Sequence, residues 1–284
     1  MSRDFTSTSP SHVRAAPAPD HFQHDLIVSA YKESPFLAEC IESLLNQDSP
    51  RSRVLICTST PTAHILDAGR HYGVPVLVSP RPSGIASDWN FALESAESDF
   101  VTICHQDDVY LPDYSKSMLA AMERSPDVLI GICGNTEHTA SGPREIQLNL
   151  RIKRYLLRRA FGSTVIQDTS RVRRRLLSLG NPVCCPGVIF NRRLIPDFRF
   201  SSDFKSNLDW DAWDRISTYR GKITYLAAPF VSHRVHEGSE TSAAIADNTR
   251  LREDYAMFRR YWPDPVCRLI LSFYRRSYVG NQAA

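Results

Sequence analysis

No apolar run in this chain is long enough to cross a bilayer, which excludes a membrane-spanning helix. No CxxC pair occurs, the seven cysteines are odd in number, and no secretory signal precedes them. A disulfide framework is therefore not expected, and a reducing, cytoplasmic setting is. Cys40, Cys57, Cys104 and Cys133 fall inside apolar segments, as small core residues do. A net charge of +3 is too small to argue for nucleic acid, and no nucleic-acid motif accompanies it. There are no internal repeats.

What is present is ordinary for a soluble globular protein. The chain has 284 residues, 42% hydrophobic and 23% charged, enough for one large domain or two small ones with ample core. Charge is unevenly placed. Arg151, Lys153, Arg154, Arg158, Arg159, Arg171, Arg173, Arg174 and Arg175 crowd one short stretch. That stretch can attract an anionic acceptor such as a lipid-linked diphosphate, rest on acidic headgroups, or form a solvated helix face.

Residues 1–24 are rich in Ser, Pro, Ala and His without periodicity, and read as a disordered lead-in. From Asp25 the pattern alternates. Leu26–Ala30, Val54–Cys57, Val74–Val78 and Asp99–Cys104 read as strands. Between them Phe36–Gln47, Thr62–Tyr72 and Gly84–Ala96 read as helices. This spacing implies βαβ units and a mostly parallel sheet. Beyond Pro112 the spacing predicts helices over Tyr114–Arg124, Leu148–Phe161, Val172–Leu179 and Leu208–Tyr219. It predicts strands over Val128–Cys133, Gly187–Phe190 and Ile223–Ala228, then a helical tail broken near Pro263.

One loop carries chemistry. The apolar run ending at Cys104 is followed at once by His105-Gln106-Asp107-Asp108. Adjacent carboxylates at the exit of a buried strand are costly unless a cation meets them. Open parallel sheets bind ligands beyond the carboxyl ends of their strands, so a divalent metal bridging nucleotide phosphates fits. The competing reading caps the following helix with Asp108 or Asp113.

Four segments in this order resemble the family 2 glycosyltransferases, over roughly residues 25–242. They are Val28-Ser-Ala-Tyr-Lys-Glu33 leading into Leu37–Gln47; Gly84-Ile-Ala-Ser-Asp-Trp-Asn90 ahead of the His105–Tyr110 loop; Leu208-Asp-Trp-Asp-Ala-Trp213; and His233-Arg-Val-His-Glu-Gly-Ser-Glu-Thr-Ser242. The resemblance implies a GT-A fold, α/β with a mostly parallel sheet flanked by helices. It divides the chain into a nucleotide-sugar-binding half (25–135), an acceptor-binding half (136–242) and a C-terminal helical extension (243–284). It implies inverting transfer of a sugar from a nucleotide-diphosphate donor, first of all a UDP-sugar, to a saccharide or lipid-linked acceptor, in cell-surface polysaccharide or glycolipid synthesis. It implies Mg²⁺ or Mn²⁺ as cofactor. The expected location is cytoplasmic, with peripheral contact at the inner membrane face through the basic helices.

The resemblance also assigns roles. The loop of Ala30, Tyr31 and Glu33 meets the base, where Tyr31 offers a stacking face; the alternative is local packing. Thr58 stands among hydroxyls where the family has acidic residues. Asp88 stands where the family places a cation, Trp89 reads as core, and Asn90 as a brace for the metal loop. His105 replaces the family's first acid. Asp107 matches the metal-binding acid, with Asp108 beside it. Arg234 and His236 match a loop over the diphosphate, with His236 as a phosphate or metal contact. Asp209 is the candidate general base and Asp211 the second candidate; both are alternatively helix-capping groups. Asn181–Gly187 resembles the acceptor loop. Two rivals remain: a sugar-nucleotide pyrophosphorylase, whose Gly-rich phosphate loop is missing at Ser29–Glu33, and a non-catalytic nucleotide-sugar-binding scaffold.

Overall fold

A computed structural model describes residues 22–139, 142–144, 146–236 and 249–279. Strands β1 (His24–Ala30), β2 (Ser52–Thr58), β3 (Val76–Val78) and β4 (Phe100–His105) alternate with helices α1 (Leu37–Leu45), α2 (Ala63–Tyr72) and α3 (Ile85–Ser95). Then come β5 (Val109–Tyr110), α4 (Tyr114–Met122), β6 (Val128–Thr139), β7 (Gly142–Pro143), α5 (Leu148–Phe161), β8 (Ile166–Asp168) and α6 (Thr169–Arg175). β9 (Val188–Asn191), α7 (Leu208–Ile216), β10 (Lys222–Arg234), α8 (Thr249–Arg259) and α9 (Asp264–Val279) complete the described chain.

The strands form one sheet in the order β3-β2-β1-β4-β9-β6-β10-β5. β3, β2, β1 and β4 pair in parallel, as do β6 and β10. β9 runs antiparallel between β4 and β6. Leu26, Ile27 and Val28 of β1 are all fully buried, which an apolar run achieves only when both faces of a sheet are covered. Their alternation divides the core. Leu26 and Val28 pack with Leu37 and Ile41 of α1 and Met118 of α4. Ile27 joins Trp89 of α3, Phe161 of α5 and Trp213 of α7 on the other face.

Expected elements match in kind, and several differ in extent. β6 and β10 run to Thr139 and Arg234, well past the predicted ends, because each continues as the other's partner beyond the core. Val172–Leu179 is not one helix: α6 starts at Thr169, and a 3₁₀ turn over Leu177–Leu179 follows it. β1 opens at His24, inside the segment read as a lead-in; residues 1–21 lie outside the described residues. All seven cysteines are free, and Cys40, Cys57, Cys104 and Cys133 are buried as expected.

The C-terminal helices are not an appendage. Glu253 of α8 accepts hydrogen bonds from the backbone N–H groups of Lys205, Ser206 and Asn207, each at 2.8 Å. Those donors lie at the amino end of α7, where the helix dipole favours an anion. Met257 and Phe258 are fully buried against the α7 side of the sheet.

The start of β1 holds two buried ionisable groups. His24 is fully buried between Ser115 Oγ (2.8 Å from Nδ1) and Thr102 Oγ1 (2.9 Å from Nε2). Burial pushes its pKa from 6.5 down to about 3, so the folded ring is neutral. For Asp25, burial raises the carboxyl, but hydrogen bonds from Arg53, Ser98 and Glu97 outweigh it and hold it low. Both groups bind protons more readily when unfolded, so both withdraw stability on acidification. Stability is expected to fall as pH drops from about 6.5 towards 3. In thermal melts across that range His24→Gln should flatten the slope; an unchanged slope would remove His24 from the account.

Candidate functional site

β4 ends at His105, and Gln106-Asp107-Asp108 turns from there into β5. Asp108 is completely buried. Its Oδ1 accepts from the backbone N–H of Arg234 at 2.8 Å and lies 3.0 Å from His233 Nδ1. Burial pushes this carboxyl up, but the charge and hydrogen bond of His233, with His105 nearby, hold it below its ordinary value. Burial opposes protonation of His233, and Asp108 overcomes it, raising the imidazole's pKa. The helix-cap alternative fails: Asp113, not Asp108, precedes α4, and its side chain makes no capping bond.

Asp107 is half-buried and faces His236, whose Nε2 lies 2.9 Å from Asp107 Oδ2. Arg234 is buried, donates from Nε to the Asp107 carbonyl at 2.9 Å, pairs with Glu39, and stacks over Phe36 at 4.2 Å. Its guanidinium thus braces the acidic loop against α1. The expected diphosphate contact through Arg234 competes with these bonds.

One ligand atom from each of His105, Asp107 and Asp108 lies within 4.8 Å of the others. His105 Nε2 and Asp108 Oδ2 are buried with no hydrogen-bond partner among the described residues. Buried polar atoms left this way suit a bound ligand, and two carboxylates with an imidazole form a donor set for a divalent cation. The site fits a metal. His105 is oriented by stacking on Trp89 at 5.2 Å, and Trp89 is core as expected. Asn90 exchanges two hydrogen bonds with the Phe200 backbone (2.9 and 2.7 Å). It therefore clamps the loop entering α7, and is not the brace of the metal loop that was expected.

On the nucleotide side, Ala30 is buried at the end of β1, while Tyr31 and Glu33 are exposed. Gln106 holds Tyr31 by a reciprocal pair: Tyr31 N–H donates to Oε1 at 2.9 Å, and Nε2 donates to the Tyr31 carbonyl at 3.1 Å. Lys32 is left-handed (φ 53°), the one such non-glycine among the described residues, and its N–H donates to Thr60 Oγ1. Non-glycine residues in that region cost energy and gather at functional loops. Thr58 is buried and accepts from the Thr60 N–H, so it shapes the turn and Thr60 is the hydroxyl nearer the loop. Asp88 is buried in the first turn of α3; burial raises its pKa, and its Oδ1 has no partner among the described residues.

Asp209 opens α7 on the opposite wall. Asn181 Nδ2 donates to its Oδ2 at 2.6 Å, and its Oδ1 accepts from the Trp210 N–H at 2.7 Å. Burial raises the Asp209 carboxyl, with Arg250 and Lys153 opposing. Tyr110 donates to the Pro186 carbonyl at 3.0 Å. The Asn181–Gly187 loop is thus bonded to Asp209 through Asn181 at one end and, through the Pro186 carbonyl, to Tyr110 two residues past Asp108 at the other. Burial pushes both Cys184 and Cys185 well up, keeping them as neutral thiols. Asp211 is not at the site: it is 2% exposed and pairs with Arg260 at 2.7 Å and Arg215 at 3.4 Å. Its job is to tie α7 to the C-terminal helices.

Sequence reasoning gives no individual role to Gln106 or His233. The pairing of Gln106 with Tyr31 leaves no periodic trace, and His233 arrives from a distant strand. Ser239 and Thr241 of the fourth segment lie outside the described residues.

A sheet of this order, with acidic residues at the exit of β4, has the GT-A type of fold. The chain belongs to glycosyl transferase family 2, whose family model matches residues 25–195. No curated protein matches it in sequence. Solved structures match in fold. TarS 1-349 from S. aureus in complex with UDP-GlcNAc is 19% identical, with TM-score 0.61, covering 88% of this chain and 70% of that one. The mannosyltransferase PcManGT from Pyrobaculum calidifontis with GDP-Man and Mn²⁺ is 18% identical, TM-score 0.56, covering 93% and 72%. Glucosyl-3-phosphoglycerate synthase from Mycobacterium tuberculosis with Mn²⁺, UDP and phosphoglyceric acid is 14% identical, TM-score 0.53, covering 86% and 80%.

The two adjacent acids should respond differently to substitution. Asp108→Asn removes a fully buried charge that holds both the Arg234 N–H and the His233 imidazole, and is expected to destabilise the fold by about 2–4 kcal/mol. Asp107→Asn, half-exposed, is expected to change stability by no more than about 1 kcal/mol. Urea titration of both variants checks the contrast, and equal losses would refute it.

Proposed function

We propose that the protein is an inverting glycosyltransferase that moves a hexose from a nucleotide-diphosphate donor to an acceptor hydroxyl. The observation that carries this reading is the pair of acidic centres bonded to one loop: the His105–Asp107–Asp108 cluster at the exit of β4, whose neighbour Tyr110 holds Pro186, and Asp209 at the start of α7, held by Asn181. One centre suits a diphosphate and its metal, the other a hydroxyl to be deprotonated.

Tyr31 and Glu33 meet the base, with Thr58, Thr60 and Asp88 lining the same side. A UDP-sugar is the first expectation for the donor; the complexes of TarS with UDP-GlcNAc and of the Mycobacterium enzyme with UDP support it, and the GDP-Man complex of PcManGT keeps the base open to test. Asp107, with Asp108, His105 and His236 around it, would hold Mg²⁺ or Mn²⁺, which would supply positive charge against the diphosphate. Asp209 takes the proton of the attacking hydroxyl. The acceptor oxygen bonds to the anomeric carbon from the face opposite the leaving group, the bond from that carbon to the phosphate oxygen breaks, and the nucleoside diphosphate departs with the electron pair. One substitution at the anomeric carbon inverts it. Retention by double displacement would need an enzymic nucleophile, and Asp211, locked to Arg260, is not free to supply it. The acceptor is a saccharide or a lipid-linked sugar in surface polysaccharide or glycolipid synthesis, met at the cytoplasmic side with peripheral membrane contact.

Two measurements test this. A thermal-shift screen of nucleoside diphosphates should show a rise in Tm with one base that requires Mn²⁺; no rise with any of them refutes the donor site. Asp209→Asn should retain that shift and lose transfer by roughly 10²–10⁴-fold. Because burial raises Asp209, the acidic limb of kcat/KM should lie above the ordinary carboxyl value of 3.8. A protein that binds the nucleotide and transfers nothing from any donor is the scaffold instead.

A further inference from the structure

α5 presents an unusual outer face. Leu150, Leu157, Ala160 and Phe161 are buried against the body of the protein. Leu148, Ile152 and Tyr155, at i, i+4 and i+7, point the other way and are 68%, 48% and 63% exposed, with Ile146 just ahead at 51%. An amphipathic surface helix normally turns polar residues outward, so this helix is apolar on both sides. Among those outer apolar side chains stand exposed Arg151, Arg158 and Arg159. The adjoining helix α6 adds exposed Arg171, Arg174 and Arg175. None of these six arginines has a carboxylate within ion-pair distance among the described residues, and α5 contains no acid. Self-association through such a face would set like charges against each other. A surface of phosphate headgroups over hydrocarbon matches both its charge and its apolar ridge.

We propose that the outer face of α5 docks on an anionic phospholipid surface, with Leu148, Ile152 and Tyr155 entering the headgroup layer. Arg151, Arg158 and Arg159 meet the lipid phosphates at its rim, and the arginines of α6 extend the contact. The other edge of α5 reaches inward. Arg154 donates to the Asn135 carbonyl at the end of β6 (2.6 Å), and the Lys153 charge acts on Asp209, His233 and Cys184. The helix thus sets the mouth of the site beside the bilayer. This deepens the membrane-contact part of the function proposed above, and rests on it only for what the contact is used for.

Co-sedimentation of the full chain with vesicles of phosphatidylcholine alone, and mixed with phosphatidylglycerol, tests the docking. The protein should pellet with the mixed vesicles and stay in solution with the neutral ones. Leu148→Ser with Ile152→Ser and Tyr155→Ser, and separately Arg151→Gln with Arg158→Gln and Arg159→Gln, should each lower the partition coefficient roughly tenfold or more. All six positions are exposed, so both variants should keep the wild-type Tm. Their nucleoside-diphosphate shift separates a failure of docking from a failure of the donor site. Wild-type protein that remains in solution with charged vesicles overturns the proposal. So does pelleting that survives the serine variant, or binding of single-stranded RNA in preference to charged vesicles.

Discussion

The buried carboxylate of Asp108 is the constraint on which the site depends. A fully desolvated charge is costly, and here it is offset by the Arg234 N–H and the His233 imidazole. Those two donors belong to the far end of β10, more than a hundred residues along the chain. One carboxylate therefore welds the exit of β4 to the strand that closes the site. The remaining pieces follow from that weld. Arg234, once placed, grips the Asp107 carbonyl, pairs with Glu39 of α1 and covers Phe36; His236, two residues further, falls against Asp107. Asp107 is held by its backbone and one imidazole, so its carboxylate is positioned without being buried.

The opposite wall is built by a second anion. Glu253 caps α7 from α8, while Asp211 and Asp214 bind Arg260. Asp211 and Asp214 thus hold α7 in place, while Asp209 on the same helix bonds Asn181 instead of an arginine.

Much of this was legible in the sequence, for identifiable reasons. Strands β1 to β4 announce themselves because buried parallel strands are continuous apolar runs bounded by helical periods. The acidic loop stands out because charge directly after such a run demands a partner. α5 was read to the residue from its period. What escaped was long-range pairing. Nothing local in Asp211 distinguishes it from Asp209; only Arg260, on the chain after α8, does so. Asn90 looked like a brace for the metal loop because it lies near it in sequence, but its partner Phe200 is 110 residues away. Pro229 interrupts the apolar run that predicts a strand to Ala228, whereas a register shift there accommodates the proline and pairing resumes to Arg234.

The contrast between Asp107 and Asp108 bears on how such proteins drift. A lineage released from its chemistry should lose Asp107 sooner than Asp108, since the latter is buried and bonded to β10. Among relatives, an intact Asp108 beside a vanished Asp107 would therefore mark a descendant that kept the architecture and abandoned the trade.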